Sequence, residues 1–275
     1  MLRSMTPAIV ALAFAAGSAV AGPVSNPLTP SETWTDLAPN VIGDAVPLDG
    51  SGLFSIEAPK RAHDAAIVPV RIVQALGSAD TIRRMTLVVD ENPAPVVAEF
   101  EFGPSMGHID LETRMRVDRY SNFRVIAETA DGATYMDGRF IKASGGCSAP
   151  ALKGMADAIA TAGQMRLKVF AAKATQPAVS SGRQQAQVMI RHPNYSGMQR
   201  NQITHLFIPA FFIHEMEVYQ GDEMLFRMEG GISISEDPVF RFSYTPNGAS
   251  ALRVRAVDTD GNVFEQTFDA AGQAT

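Results

Sequence analysis

Cysteine is almost absent from this sequence: Cys147 is the only one in 275 residues. No internal disulfide can form, so the fold has to hold by packing alone. Charge of one sign is nowhere concentrated. The 23 Lys and Arg interleave with 29 Asp and Glu to give a net charge of −6. Without a basic stripe, nucleic acid is excluded as a partner. Without a polybasic or strongly amphipathic segment, so is an anionic membrane surface. No apolar run is long enough to span a bilayer. No Gly-rich phosphate loop follows a strand and no GxSxG elbow is present, so neither nucleotide nor hydrolase chemistry is supported. His63, His108, His192, His205 and His214 never fall at the spacing of a metal site. The 13 methionines offer soft ligands to copper. However, Met115, Met216, Met224 and Met228 follow strand alternation and read as core. No cofactor, no metal and no catalytic residue is expected; the chain does not read as an enzyme.

What is present begins with a leader. Arg3 supplies a positive start, residues 8–16 are apolar, and Ala19-Val20-Ala21 fits a small-x-small cleavage site. Residues 1–21 are therefore expected to be removed on export from the cytoplasm, with no membrane attachment afterwards. Losing Arg3 takes the charge from −6 to −7. In an exported chain an unpaired thiol is either an intermolecular partner or a reactive group.

The mature chain opens with a Pro-, Gly-, Asp- and Ser-rich extension. Ser31 is positioned to N-cap a short helix that docks through Trp34 and Leu37. From Leu53 onward the period is two. Residues 108–117 alternate cleanly, and 67–73, 85–89 and 123–127 are further short apolar runs. Asp131-Gly132 and Asp137-Gly138 read as hairpin turns. At 148–163 the period changes: Leu152, Met155, Ile159 and Ala162 fall at helical spacing, and Gly163 stands at the expected stop. Alternation resumes at 165–169 and recurs at 188–190, 213–219, 224–228, 240–244 and 252–256, with turns at Gly221-Asp222 and Asp260-Gly261. The pattern predicts an all-β protein of two immunoglobulin-like sandwiches, over 31–147 and 164–270, joined by a short helical connector over 148–163.

Ser144-Gly145-Gly146-Cys147-Ser148-Ala149-Pro150 is the most informative stretch. Two glycines free the backbone just before the thiol. The thiol is expected to lie outside the strands, exposed and mobile. Lys142, Lys153 and the start of the connector helix are expected to lower its pKa. The alternative is an inert cysteine in a Gly-rich turn.

Ile190-Arg191-His192-Pro193-Asn194-Tyr195-Ser196-Gly197 resembles the HPxxxG signature of SoxZ. Ile208-Pro209-Ala210-Phe211-Phe212-Ile213, Gly231-Ile232-Ser233-Ile234-Ser235-Glu236-Asp237-Pro238 and Phe240-Arg241-Phe242 are similar to further SoxZ segments. Phe54-Ser55-Ile56-Glu57-Ala58-Pro59, Val68-Pro69-Val70 and Ser144-Gly145-Gly146-Cys147 resemble SoxY and its carrier arm. The whole resembles a fused SoxY–SoxZ sulfur carrier of the type associated with quinoprotein (PQQ) dehydrogenases. That resemblance implies a covalent carrier role for Cys147 in thiosulfate oxidation, a flexible arm at Gly145 and Gly146, and contact between the chain's own two domains. The implied partners are periplasmic sulfur-oxidation enzymes or c-type cytochromes. The alternative is a quinoprotein dehydrogenase, for which the chain would be a non-catalytic binding or assembly partner. One departure stands out: the SoxY arm ends its chain, whereas Cys147 is followed by a connector and a second domain.

The leader makes a direct prediction. N-terminal sequencing of the protein from its native source should begin at Gly22. Recovery of the full-length chain from the cytoplasm would overturn the assignment.

Overall fold

The computed structural model describes residues 26–75, 81–151, 154–170, 182–269 and 271–275. The expected leader lies outside them. Ser31 caps helix α1 (Glu32–Val41) as its sequence predicts, its hydroxyl accepting from the Trp34 N–H at 3.1 Å. Eight strands follow: β1 (Leu48–Asp49), β2 (Phe54–Glu57), β3 (Val68–Gln74), β4 (Ile82–Val89), β5 (Val96–Phe102), β6 (Asp110–Met115), β7 (Ser121–Thr129) and β8 (Thr134–Ile141). Helix α2 (Met155–Ala160) then leads into β9 (Met165–Phe170), β10 (Gln184–Ile190), β11 (Ile213–Gln220), β12 (Glu223–Gly230), β13 (Val239–Tyr244), β14 (Ala251–Asp258) and β15 (Val263–Asp269). Along β6, β10 and β14 every second residue is buried, which is what strict alternation dictates for a strand with one dry face.

The strands form two layers. One sheet runs β1-β8-β7-β4-β5-β12-β11-β14-β15 and the other β2-β3-β6-β13-β10-β9. Strands β1–β8 make one immunoglobulin-like sandwich and β9–β15 a second. Both layers continue from one into the other. β5 pairs antiparallel with β12, Met228 opposite Phe100 and Arg227 opposite Glu101. β6 pairs antiparallel with β13, Phe242 opposite Leu111. Four strand edges that would otherwise carry unpaired backbone groups are satisfied in this way.

The core is correspondingly continuous across the seam. The Phe100 ring lies 6.2 Å from both Phe226 and Phe240, and Phe226 meets Phe242 edge-on at 5.0 Å. Met115, Met216 and Met228 are fully buried, as their strand positions predict, whereas Met224 is only half-buried. Residues 121–127 of β7 are all buried, and on its outer side the N-terminal segment covers Asn122 and Arg124. There the Arg124 guanidinium stacks on Trp34 at 4.4 Å and forks onto Asp90 at 2.8 and 2.9 Å. Burial of that cation is thus matched by a carboxylate.

Two sequence expectations require correction. Asp131-Gly132 is a turn, with Gly132 at φ +88°, but Asp137-Gly138 lies within β8, where Gly138 pairs with Arg124. A Cβ at 138 would come within 2.5 Å of both the Leu28 side chain and the Phe123 carbonyl, so this glycine serves close approach and not reversal. The connector does carry a helix, but only over six residues. Its buried residue is Ala158, while Ile159 is 53% exposed. The helical spacing read from Leu152 (itself outside the described residues) and Ile159 is therefore not the packed face.

Because one core spans the seam, the two sandwiches should unfold as a unit. Phe226→Ala is expected to cost about 3–5 kcal/mol and to lower a single calorimetric transition for the whole chain. Two transitions with only the later strands affected would show the seam to be uncoupled.

Candidate functional site

The thiol sits where the two sandwiches meet at one end of the seam. Its surroundings are built first by the turn after β6. The Asn92 side chain donates to the Arg116 carbonyl at 2.8 Å and accepts from the Asp118 N–H at 2.8 Å, fixing that turn. The turn in turn holds the arm. Gly145 N–H donates to the Asp118 carbonyl at 2.7 Å, Gly146 N–H to the Val117 carbonyl at 3.2 Å, and Cys147 N–H to Asp118 Oδ1 at 3.2 Å. Gly145 adopts φ +77°, a conformation glycine takes without cost. At Gly146 the need is space: a Cβ there would lie 2.1 Å from the Ala65 carbonyl oxygen.

The second sandwich closes the other side. Asn194 takes φ +41°, which Asn tolerates better than most residues. Its side chain is pinned by the Ile213 N–H at 3.1 Å and the Ser235 carbonyl at 3.2 Å, with His192 Nδ1 2.7 Å from Oδ1. The reversal delivers Ser196, whose hydroxyl donates to the Cys147 carbonyl in a short hydrogen bond. Gln199 Nε2 adds a bond to the Ala149 carbonyl at 3.0 Å. The His-Pro-Asn segment thus forms a wall of the thiol's enclosure. Phe211, by contrast, packs on His192 at 4.5 Å within the second sandwich.

Cys147 is completely buried. The expected exposure is overturned, and with it the expected activation of the thiol. Burial, reinforced by the Asp118 carboxylate and only partly offset by Arg116, pushes the Cys147 pKa from its ordinary 9.0 up to about 12. Lys142 is not among the charges that act on the thiol, and Lys153 lies outside the described residues. The helix start is also displaced: α2 begins at Met155, and at six residues it offers little dipole.

Arg116 is the residue that alternation hides. It falls on the polar side of the 108–117 pattern, yet it is 1% exposed, because the arm and the 192–196 turn lie over it. Its Nη1 donates to the Gly146 carbonyl at 3.2 Å and its Nη2 to the Asn194 carbonyl at 3.1 Å, so one guanidinium ties the arm to the second sandwich. Burial lowers its pKa, with Cys147, Glu236 and Asp64 acting in the opposite sense. Beside the arm runs a crevice of ≈ 480 Å³ lined by Ser148, Pro150, Met198, Arg200, Asn201, Gln202 and His205. No group of three or more His, Cys, Asp or Glu side chains able to hold a metal occurs among the described residues. No helix among them is long and apolar enough to cross a membrane.

Comparison with known proteins gives two family matches in one chain. Residues 38–147 match "Sulfur oxidation protein SoxY" and residues 173–269 match "Sulphur oxidation protein SoxZ". The solved structure of the sulfur carrier protein SoxY from Chlorobium limicola f thiosulfatophilum is 25% identical over 39% of this chain and 89% of that one, with a TM-score of 0.34. No curated protein matches the chain.

The burial of Cys147 predicts its reactivity. At pH 8 iodoacetamide should modify the folded protein about a thousandfold more slowly than the urea-unfolded chain, since the thiolate is the reacting form. Asp118→Asn, by removing a like charge, should raise the folded rate about tenfold. The raised pKa also sets a sign for stability. The contribution is intact below pH 9, where both states keep the proton. It is lost as pH climbs from 9 towards 12, where only the unfolded thiol ionises. Equal labelling of folded and unfolded chains would show the enclosure to be open in solution.

Proposed function

We propose that this chain, which belongs to the SoxY and SoxZ families joined in one polypeptide, is a periplasmic covalent thiol carrier that holds sulfur intermediates on Cys147 for partner enzymes. Its part in sulfur oxidation is that of a carrier and not of an enzyme. The observation that carries the finer reading is the position of Cys147. It is the sole thiol, it is the last residue of the SoxY match, and it follows two glycines on a segment outside every strand and helix. On this reading 31–147 form the SoxY-like domain, 148–163 the connector and 164–270 the SoxZ-like domain.

The enclosed thiol is then the resting state of the arm. A protonated, buried thiol neither oxidises nor exchanges readily, which protects an unpaired cysteine in an oxidising compartment. Delivery requires the arm to leave the Ser196 and Gln199 contacts and swing outward. That exposure relieves the burial which holds the pKa up and restores ordinary thiol reactivity. Sulfur-oxidation enzymes or c-type cytochromes of the periplasm are the partners that would load and unload it. They would approach along the crevice between Ser148, Pro150 and the 198–205 loop. The complete burial of Cys147 favours a second reading, in which the thiol is structural and the chain serves as a non-catalytic binding or assembly partner of a quinoprotein (PQQ) dehydrogenase.

Intact mass separates the two. Protein purified from its own periplasm is expected to carry an adduct on Cys147 that mild reduction removes. Cys147→Ala should cost about 1 kcal/mol, as for loss of a small buried group, and should abolish both the adduct and the dependent sulfur oxidation. An unmodified Cys147 in the native protein, together with an alanine variant that supports the pathway, would leave only the second reading.

A further inference from the structure

The wet face of the six-stranded sheet carries a cavity of ≈ 210 Å³ that the thiol's enclosure does not use. Its floor follows from register. Arg166 of β9 pairs with Met189 of β10, and Met189 with Val239 of β13. The β6–β13 register, carried on by two residues from the Glu112–Arg241 pair, sets Arg114 beside Val239. The alternate residues Met115, Leu167, Val188 and Phe240 are buried in the core. Two arginines therefore stand on the outer face across an apolar strip of Met189 and Val239. Arg191 closes the end of the cavity, where its N–H donates to the Gln164 carbonyl at 2.8 Å. Among the described residues, three guanidinium groups line this cavity with a single carboxylate, Asp237.

That carboxylate is already engaged. Asp237 Oδ1 accepts from the His192 N–H and Oδ2 from Arg191 Nη1, both at 3.1 Å. Its backbone, in the left-handed region at φ +46°, turns the carbonyl to Arg114 Nη2 at 3.0 Å. Three cations against one anion leave a surplus of two positive charges around the cavity. Arg114 Nε is buried with no hydrogen-bond partner, and Arg166 lies exposed at the rim. We infer that this cavity binds a doubly charged tetrahedral oxyanion of the sulfate and phosphate class. The charge of such an ion equals the surplus. Its oxygens suit the planar donor fork of arginine, whereas lysine offers only a point charge. The buried Arg114 Nε–H gains an acceptor, and Arg191 divides its donors between Asp237 and the anion. The volume lies below the roughly 300–1,000 Å³ of sites for drug-sized ligands, so a small ion fits and a nucleotide or peptide does not. This goes beyond the carrier reading and does not rest on it, because no residue of the 144–150 arm lines the cavity.

The test titrates the whole mature chain with sodium sulfate at constant ionic strength, chloride making up the balance. Calorimetry is the readout because it follows binding itself, whereas sulfate raises the melting temperature of folded proteins generally by exclusion from their surface. One site per chain is expected, half-filled at about millimolar sulfate. Arg166→Gln changes an exposed side chain and should leave the fold intact while weakening sulfate binding about tenfold. Arg166→Lys should recover part of that loss. Phosphate at mildly alkaline pH, where it is a dianion, should compete for the same site, and the tighter of the two ions identifies the one the site prefers. Malonate, a dianion of planar carboxylates, should compete about tenfold more weakly than sulfate. Heats no larger than those of the chloride control would overturn the inference. So would an affinity unchanged in Arg166→Gln, or malonate bound as tightly as sulfate. The Cys147→Ala chain should bind sulfate as the wild type does, so this inference and the carrier reading can fail separately.

Discussion

The pairing of β5 with β12 is the constraint on which the rest of the molecule depends. An immunoglobulin-like sandwich leaves strand edges whose backbone groups seek partners. Here the edges of one sandwich are closed by those of the other, in both layers at once. The Phe100, Phe226, Phe240 and Phe242 rings then fill the space beneath, so one hydrophobic core serves two sandwiches. Joining the halves in one chain raises the effective concentration of each for the other to about millimolar for a short tether.

The site follows from that seam. Register across β5–β12 and β6–β13 decides which loops of the second sandwich face which turns of the first. It brings Ser233 to the Arg116 N–H, Ser235 to the Ala66 carbonyl and Asn194 to the Arg116 guanidinium. Six hydrogen bonds hold the segment from Gly145 to Ala149, two of them from Ser196 and Gln199. At about 0.5–1.5 kcal/mol net for each, such an arm is held firmly but not permanently. Opening it breaks no strand pairing, so the sandwiches can remain closed while the thiol is out. A latch of hydrogen bonds holds the thiol shut at less cost to open than a packed strand would.

Charge placement sharpens the same point. Asp118 and burial keep the thiol protonated, and Arg116, itself under the attraction of Glu236 and Asp64, offsets them only in part. The two charges therefore act in opposite senses on the thiol.

Much of this was legible in the sequence, for a physical reason: alternation, helix caps and turn dipeptides are local, and each segment declares its own period. The strands at 85–89, 123–127 and 240–244, the Ser31 cap, the turn at Gly132 and the arm before Cys147 all belong to that class. Asp137-Gly138 misleads because a glycine chosen for close approach to Leu28 looks the same as one chosen for reversal. Arg116 misleads because alternation assigns a face but not what covers it. The exposure of Cys147 was never local information. It depends on Ser196, 49 residues further along the chain, and on a seam register that no segment encodes alone. The sequence by itself determined an all-β chain in two halves with one thiol on a glycine arm. Only the tertiary structure decided that the arm is shut, that the thiol is neutral, and that a buried guanidinium ties the arm to the second sandwich, because burial is a property of two surfaces in contact and not of either one.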